Sequence, residues 1–209
     1  MSPKVADEHK EARRKQILAA AVRVFTRLGY QAATMKDVVE ESGMSRGGVY
    51  LYYGSTERMM LDLIGETDEE VAGMPKLARP DRPVWETIEQ LMRHLAGGVT
   101  KGAAGMAPVF YEFFITAWRK RTYETLMESR YDQNVSAVVR LLEEGARRGE
   151  FQPRVSLETI ARMLFSFHDG MQIHAIQFGD RRTDTRGQTE GMLAALRHLL
   201  GVQDKEEQP

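Results

Sequence analysis

The sequence predicts an all-α chain in two parts, a small N-terminal unit of three helices and a longer helical C-terminal region. Three observations carry this. Apolar residues recur at spacings of three and four along most of the 209 residues, and no stretch alternates as a half-buried strand would. Between Thr34 and Thr56, in TMKDVVEESGMSRGGVYLYYGST, capping residues and a glycine mark two short helices around a tight corner. Pro75, Pro80 and Pro83 then punctuate the segment MPKLARPDRP, the clearest break in the pattern. The N-terminal unit is expected over 10–55 and the C-terminal region over 56–201, since a helix beginning at Thr56 runs on into the second half. Residues 1–9 and 202–209 are polar, lack a period and are expected as disordered tails.

Composition narrows the class. Hydrophobic residues at 42% and charged residues at 28% suit a folded, water-soluble chain long enough for a real core. The absence of cysteine excludes disulfides and Cys-ligated zinc and fits a reducing cytosol. The longest apolar run, 17–22, falls far short of the ~20 residues that span a bilayer, and the N-terminus lacks the apolar core of a signal peptide. A cytoplasmic location without a membrane partner is expected. Charge is uneven: residues 1–60 hold ten Lys or Arg against seven Asp or Glu, whereas the rest hold 19 against 23. A basic N-terminal part on an acidic body is what a chain needs if only that part meets a polyanion.

The first helix is expected from Lys10 to Leu28, with Ile17, Ala21, Val24 and Leu28 in one stripe widened by Leu18 and Phe25, and with Gly29 ending it. Its early Lys10, Arg13, Arg14 and Lys15 suit phosphate contact or a minor groove, and equally suit a solvated helix start. Thr34 caps the second helix, and Asp37 three residues later completes a capping box. Gly43 supplies the left-handed residue that ends it, and Ser45 caps a third helix almost at once, expected over Arg46 to Tyr53. Two short helices joined by such a turn make a helix-turn-helix, whose second helix lies in the DNA major groove. Gly47 and Gly48 each cost up to about 1 kcal/mol in a helix, so something other than helix stability favours them. A bare backbone can approach a phosphate or base edge closely, and Tyr50, Tyr52 and Tyr53 add hydroxyls on rigid arms that suit phosphate oxygens. The competing reading is an ordinary helical hairpin with its tyrosines in a core.

Gly54 breaks the third helix, and Ser55 or Thr56 caps a fourth that carries Met59, Met60, Leu63 and Ile64 and fades between Gly73 and Pro75. Beyond the prolines, Trp85, Ile88, Met92, Leu95 and Val99 form one helical stripe, interrupted by GGVTKGAAG. Met106, Phe110, Phe113, Phe114 and Ala117 form a second. Met127, Tyr131, Val135, Val138 and Leu142 form a third, stopped by EEGARRGEFQP. Ser156 and Glu158 open a helix with Ile160, Leu164, Phe167, Met171, His174 and Phe178 at heptad-like spacing, and the last helix, 185–200, carries Leu193, Leu196 and Leu200. Together these two helices form half of a four-helix dimer interface, or else close the core of a single chain.

Met92, Met106, Phe110, Phe114, Trp118, Met127 and His168 concentrate thioether, aromatic and imidazole groups that shape a pocket for a greasy or planar molecule, although they also fill ordinary cores. His168 and His174 lie about 120° apart around a helix of ~3.6 residues per turn and do not share a face as metal ligands do. No metal or cofactor is expected. Nucleophile elbow, zinc-binding helix, phosphate loop and dinucleotide fingerprint are all absent from the sequence, so an enzyme acting on a small molecule stays a remote alternative.

The stretch ILAAAVRVFTRLGYQAATMKDVVEESGMSRGGVYLYYGSTERMM resembles the N-terminal part of the TetR family of transcriptional regulators, with its helix, Gly-aromatic step, helix-turn-helix and tyrosine-rich exit. The resemblance implies a homodimeric repressor of a double-stranded operator, released by an unidentified small molecule, with an activator or a ligand-independent regulator as the alternative. It places Arg46, Gly47, Gly48, Tyr50 and Tyr52 in the major groove, and Thr34, Ser45 and Tyr53 at the phosphate backbone or holding the helix there. Thr56 stands where the family usually has Lys, so contact there is weaker or made by a hydroxyl. Arg46 suits sequence reading, because a guanidinium bonds guanine O6 and N7 together.

Overall fold

The first helix begins earlier than its apolar stripe. Proline is favoured in a first helical turn, and Ala, Glu, Lys and Arg propagate a helix well, so nothing interrupts the chain from Pro3 onward. The computed structural model describes residues 3–102 and 105–202, with side chains described over 8–98 and 105–202. Residues 1, 2 and 203–209 of the expected tails, residues 103 and 104 of the glycine-rich break, and the Val99 side chain lie outside the described residues. The described helices are α1 (Pro3–Leu28), α2 (Met35–Ser42), α3 (Arg46–Tyr50), α4 (Thr56–Gly73), α5 (Val84–Gly102), α6 (Ala107–Lys120), α7 (Glu124–Arg147), α8 (Leu157–Phe178), α9 (Asp180–Thr183) and α10 (Thr185–Leu200), with one 3-10 turn at Met74–Leu77. Among the described residues the only extended pairing is an isolated antiparallel bridge between Phe151 and Val202.

Two units share the chain, one made of Met1–Thr67 with Ala104–Thr122, the other of Asp68–Ala103 with Tyr123–Pro209. The first unit therefore takes α6 together with the N-terminal helices, which the sequence did not suggest. In it, α1 packs on α2. Ile17, Ala20, Ala21, Val24 and Phe25 of α1 are fully buried, as are Val38 of α2, Val49 of α3 and Met59 and Met60 of α4. Arg23 and Arg27 of α1 both donate to the Glu41 carboxylate, at 2.7 and 3.0 Å, and hold its pKa below the usual carboxylate range. Gln16 donates to the Ser42 carbonyl at 3.1 Å, pinning the end of α2. Glu112 of α6 accepts from the backbone N–H groups of Tyr30 and Gln31, and the Tyr30 ring meets Phe113 edge-on at 5.0 Å.

In the second unit α7 packs on α8 and α10 on α5, around Trp85, Ile88, Val138, Leu142, Ile160 and Leu196. The Phe151 ring fills the place where a Cβ on Gly145 would stand, so α7 needs glycine there. Beyond α7, Glu150 accepts from the backbone N–H of Val84 at 2.6 Å and supplies the cap that α5 lacks locally. Arg148 donates to the carbonyls of Ala78, Arg79 and Arg82 at 3.2, 2.8 and 3.2 Å, and its Nε donates to Glu144 at 2.7 Å. Hydrogen bonds from Arg147 and then Arg148 lower the Glu144 pKa to about 2. Ser156 caps α8 by accepting from Thr159 N at 3.1 Å.

Four helices depart from the expected pattern: α1 takes in residues 3–9 of the expected tail, α3 ends at Tyr50 rather than Tyr53, and α5 and α9 differ as well. Helix α5 runs through Gly97 and Gly98 to Gly102, because the apolar stripe before them buries enough surface to carry two poor helix formers. The single turn α9 has no stripe of its own and left no periodic trace.

Candidate nucleic-acid interface

Local chemistry sets the corner between α2 and α3. Thr34 N donates to the Asp37 carboxylate at 2.9 Å and Asp37 N donates back to Thr34 Oγ1 at 3.3 Å, the capping box in full. The side-chain hydrogen bond from Thr34 lowers the Asp37 pKa. Gly43 ends α2 at φ 67°, where a side chain would be strained. Ser45 is extended, and its Oγ accepts from Gly48 N at 3.1 Å to start α3. Ser55, rather than Thr56, caps α4 by accepting from Arg58 N at 3.2 Å.

Two anchors fix the rotation of α3 and the turn that follows it. Val49 is wholly buried and Tyr53 is 1% exposed. The Tyr53 hydroxyl donates to Asp62 of α4 at 3.0 Å, Arg14 donates to the same carboxylate at 2.5 Å, and the Arg14 guanidinium lies 5.6 Å over the Tyr53 ring. Burial first, then the hydrogen bond to Asp62, pushes the Tyr53 pKa up, so the hydroxyl stays protonated and donating. Of the two roles expected for Tyr53, meeting phosphate or holding the helix, its burial and its bond to Asp62 fit the second. The sequence could not separate the three tyrosines, because hydroxyl position depends on which of them lies over α4.

Exposed around these anchors are Ser45, Arg46, Gly47, Tyr50 and Leu51, while Gly48, Tyr52 and Thr56 are half-buried and Thr34 is exposed at the start of α2. The Arg46 guanidinium rests 5.2 Å over the Tyr50 ring. A Cβ on Gly48 would approach Ser45 Oγ to 3.2 Å, whereas one on Gly47 would meet nothing within 4 Å. The fold of the chain thus gives some reason for Gly48 and none for Gly47. Leu51, 79% exposed, is a member of this exposed side that is not among the expected site residues. Its signal was available: it lies about 200° around the helix from Val49. The basic Arg14 of the first helix serves Asp62 inside the unit rather than standing free.

The expected pocket residues are divided between the two units. Met106, Phe110, Phe114 and Trp118 belong to the first unit, where the Phe110 and Phe114 rings stack at 6.4 Å and Trp118 is 75% exposed. Met92, Met127 and His168 belong to the second, Met92 packed at the edge of its core and His168 with Nδ1 3.6 Å from Asp169. A groove of about 640 Å³ in that unit is lined by residues that include Asp68, Ala72, Glu128, Asp132, Asn134 and Arg140.

The residues of the expected dimer seam divide between the core of their own unit and its surface. Ile160, Leu193, Leu196 and Leu200 are buried in the core of their own unit, and Met171 is buried with Ala96 and Ala175. Leu164 and Phe167 pack partly against the same clusters, while His174 and Phe178 are exposed. The heptad spacing reports α8 packing within one chain, since a lengthwise contact looks the same in sequence whichever chain supplies the partner. The large apolar residues that α8 exposes are Met163, Ile173 and Phe178, and α10 exposes the small residues Gly191, Ala194 and Ala195.

Residues 17–63 match the model of the bacterial regulatory proteins, tetR family, and residues 87–186 match the tetracyclin repressor-like C-terminal domain. Across 207 residues the chain is 42% identical to the uncharacterized HTH-type transcriptional regulator YfiR of Bacillus subtilis, covering 98% of this chain and all of that one. The chain belongs to the TetR family. As a TetR-family helix-turn-helix transcriptional regulator it carries every residue of the outward face inside the matched N-terminal segment. The HTH-type transcriptional repressor Rv1474c of Mycobacterium tuberculosis is 33% identical over 94 residues, 40% of this chain and 50% of that one. Among solved TetR-like folds, Salmonella enterica GusR aligns over 91% of this chain and 96% of its own with a TM-score of 0.73 at 19% identity. The SmeT protein of a SmeT-triclosan complex aligns over 95% and 99% with a TM-score of 0.71 at 18% identity. No described helix is long and apolar enough to cross a membrane.

Proposed function

We propose that this regulator is a homodimeric repressor that grips a pseudo-palindromic operator with two copies of α3 and lets go when a small molecule binds within the segment 87–186. The carrying observation is Gly47, a helical glycine on the exposed face whose missing side chain nothing in the protein itself requires. A bare Cα at that place suits close approach by a duplex, with Arg46 and Tyr50 exposed on either side of it. The repressor named among its relatives supports the direction of control, and the triclosan complex of SmeT supports binding of a small molecule. Half-sites would lie about one helical turn of DNA apart, ~34 to 36 Å or a multiple of it. The effector must prefer the released conformer, because equal affinity for both shifts nothing.

A second copy would meet the outward side of α8 and α10, through Met163, Ile173, Phe178 and the small residues of α10, rather than through the buried seam. Selection of genomic fragments by purified protein tests the reading. Enrichment of a two-fold symmetric sequence is expected, with Arg46→Ala relaxing preference at one position per half-site by about 1–3 kcal/mol. Deleting the protein should raise reporter output from the recovered operator; lowered output would make it an activator, and no enrichment at low salt would overturn DNA binding altogether.

A further inference from the structure

We propose that Leu51 reads the C5 methyl group of a thymine, a reading that rests on the DNA-binding function proposed above. Scattered exposed leucines are common on protein surfaces and need no explanation by themselves. Leu51 differs in where it is held. Its N–H donates to Gly47 O at 3.1 Å, and Tyr53 N donates to Val49 O at 3.0 Å, so the last turn of α3 has a set path. Val49 and Tyr53 are buried on either side of it in sequence, which turns the 79% exposed Leu51 away from the core, about 40° around the helix from the exposed Gly47.

The chemistry of that side chain leaves one fitting target on a duplex. Leucine offers no donor or acceptor, so it can serve neither phosphate oxygens nor the polar atoms of base edges. In the major groove the apolar feature of a base edge is the thymine methyl, absent from adenine, guanine and cytosine. A five-residue step along a helix covers about 7.5 Å, close to two base-pair rises of ~3.4 Å. The thymine read by Leu51 therefore lies within about two or three base pairs of the base read by Arg46, in the same half-site.

Removing only the methyl group isolates the contact. The full-length protein is first given a random-sequence duplex pool, and the recovered duplex is remade with deoxyuridine replacing each thymine in turn. One thymine per half-site should respond, its replacement weakening binding about four-fold, the effect of removing one buried carbon from an apolar contact. Leu51→Ala should bind the thymine and deoxyuridine duplexes equally while keeping the thermal midpoint of the wild type and the preference at the Arg46 position. Indifference of the wild type to every replacement, or the same sensitivity in Leu51→Ala, overturns the assignment of Leu51 and leaves the operator intact. A pool that yields no duplex overturns the DNA-binding reading itself.

Discussion

The Glu112 carboxylate accepts the backbone N–H of Tyr30 at 2.7 Å, and that of Gln31 at 3.1 Å, across more than eighty residues of sequence. A turn that follows a helix must find acceptors for its amides, and this one finds them on α6. The neighbouring Gly29, at φ 79°, leaves room for the carboxylate, since a Cβ there would come within 2.9 Å of Glu112 Oε2. Gln31 adds a side-chain bond to Thr116 Oγ1 at 3.3 Å. The entry to the helix-turn-helix is thus held by a helix far along the chain.

Glu112→Ala should therefore lower stability by about 1–3 kcal/mol, the cost of leaving amides without their charged acceptor. Hydrogen exchange should quicken at the Tyr30 and Gln31 amides, and DNA affinity should fall because α2 loses a fixed start. Unchanged exchange at those two amides would show that the loop holds its shape without α6.

Gly47 and the helix it interrupts pull in opposite directions. Gly47→Ala adds a better helix former where nothing stands within 4 Å of the new Cβ, so stability should rise by up to about 1 kcal/mol. Operator affinity should fall at the same time, because the methyl group occupies space that the duplex needs. Denaturant titration and binding isotherms on one preparation measure both, and equal affinity in the variant would remove the reason given for this glycine.

Ile173→Asp and Met171→Asp separate surface from core on α8. Ile173 is 37% exposed and Met171 is 4% exposed. The first should yield a folded monomer in sedimentation that binds the operator weakly, since a charge on the outward side blocks the second copy. The second should fail to fold, because a carboxylate cannot be buried there unpaired. A dimeric Ile173→Asp protein would place the interface elsewhere.

Acid should act on Glu144 in a defined window. Its pKa falls from the ordinary 4.5 to about 2 through hydrogen bonds from Arg147 and Arg148. The folded state thus binds the proton less readily than the unfolded one, and the contribution is complete above about pH 4.5 and fades as pH drops towards about 2. Thermal midpoints of wild type and Glu144→Gln should differ at pH 6 and converge as pH falls towards 2. A gap that stays constant over that range would show that Glu144 acts through packing alone.

Much of the fold was legible because local signals agreed with each other. Thr34 with Asp37, Gly43 and Ser45 announced the helix-turn-helix, and the helix from Thr56 to Gly73 and the one from 185 to 200 have the bounds that caps and stripes predicted. What escaped was whatever depends on residues distant in sequence. Glu112 reaching Tyr30 and Glu150 capping α5 leave no periodic mark. Tyr53 looked like its two neighbours until its hydroxyl was seen on Asp62. The α8 stripe correctly announced a buried side, yet spacing alone cannot name the chain that covers it. Leu51 is legible in principle, since two residues of helix place it about 200° from the buried Val49.

Arg148 stands in for secondary structure that the segment Ala78–Arg82 does not have. Three carbonyls that neither helix nor sheet would satisfy converge on one guanidinium, itself oriented by Glu144. Only a planar fork with five donors spans that many acceptors at once, so a lysine at 148 would keep the charge and still let the strap come loose. Anyone shortening or splicing this proline-rich connection would have to preserve the spacing of those oxygens, whatever residues are chosen between them.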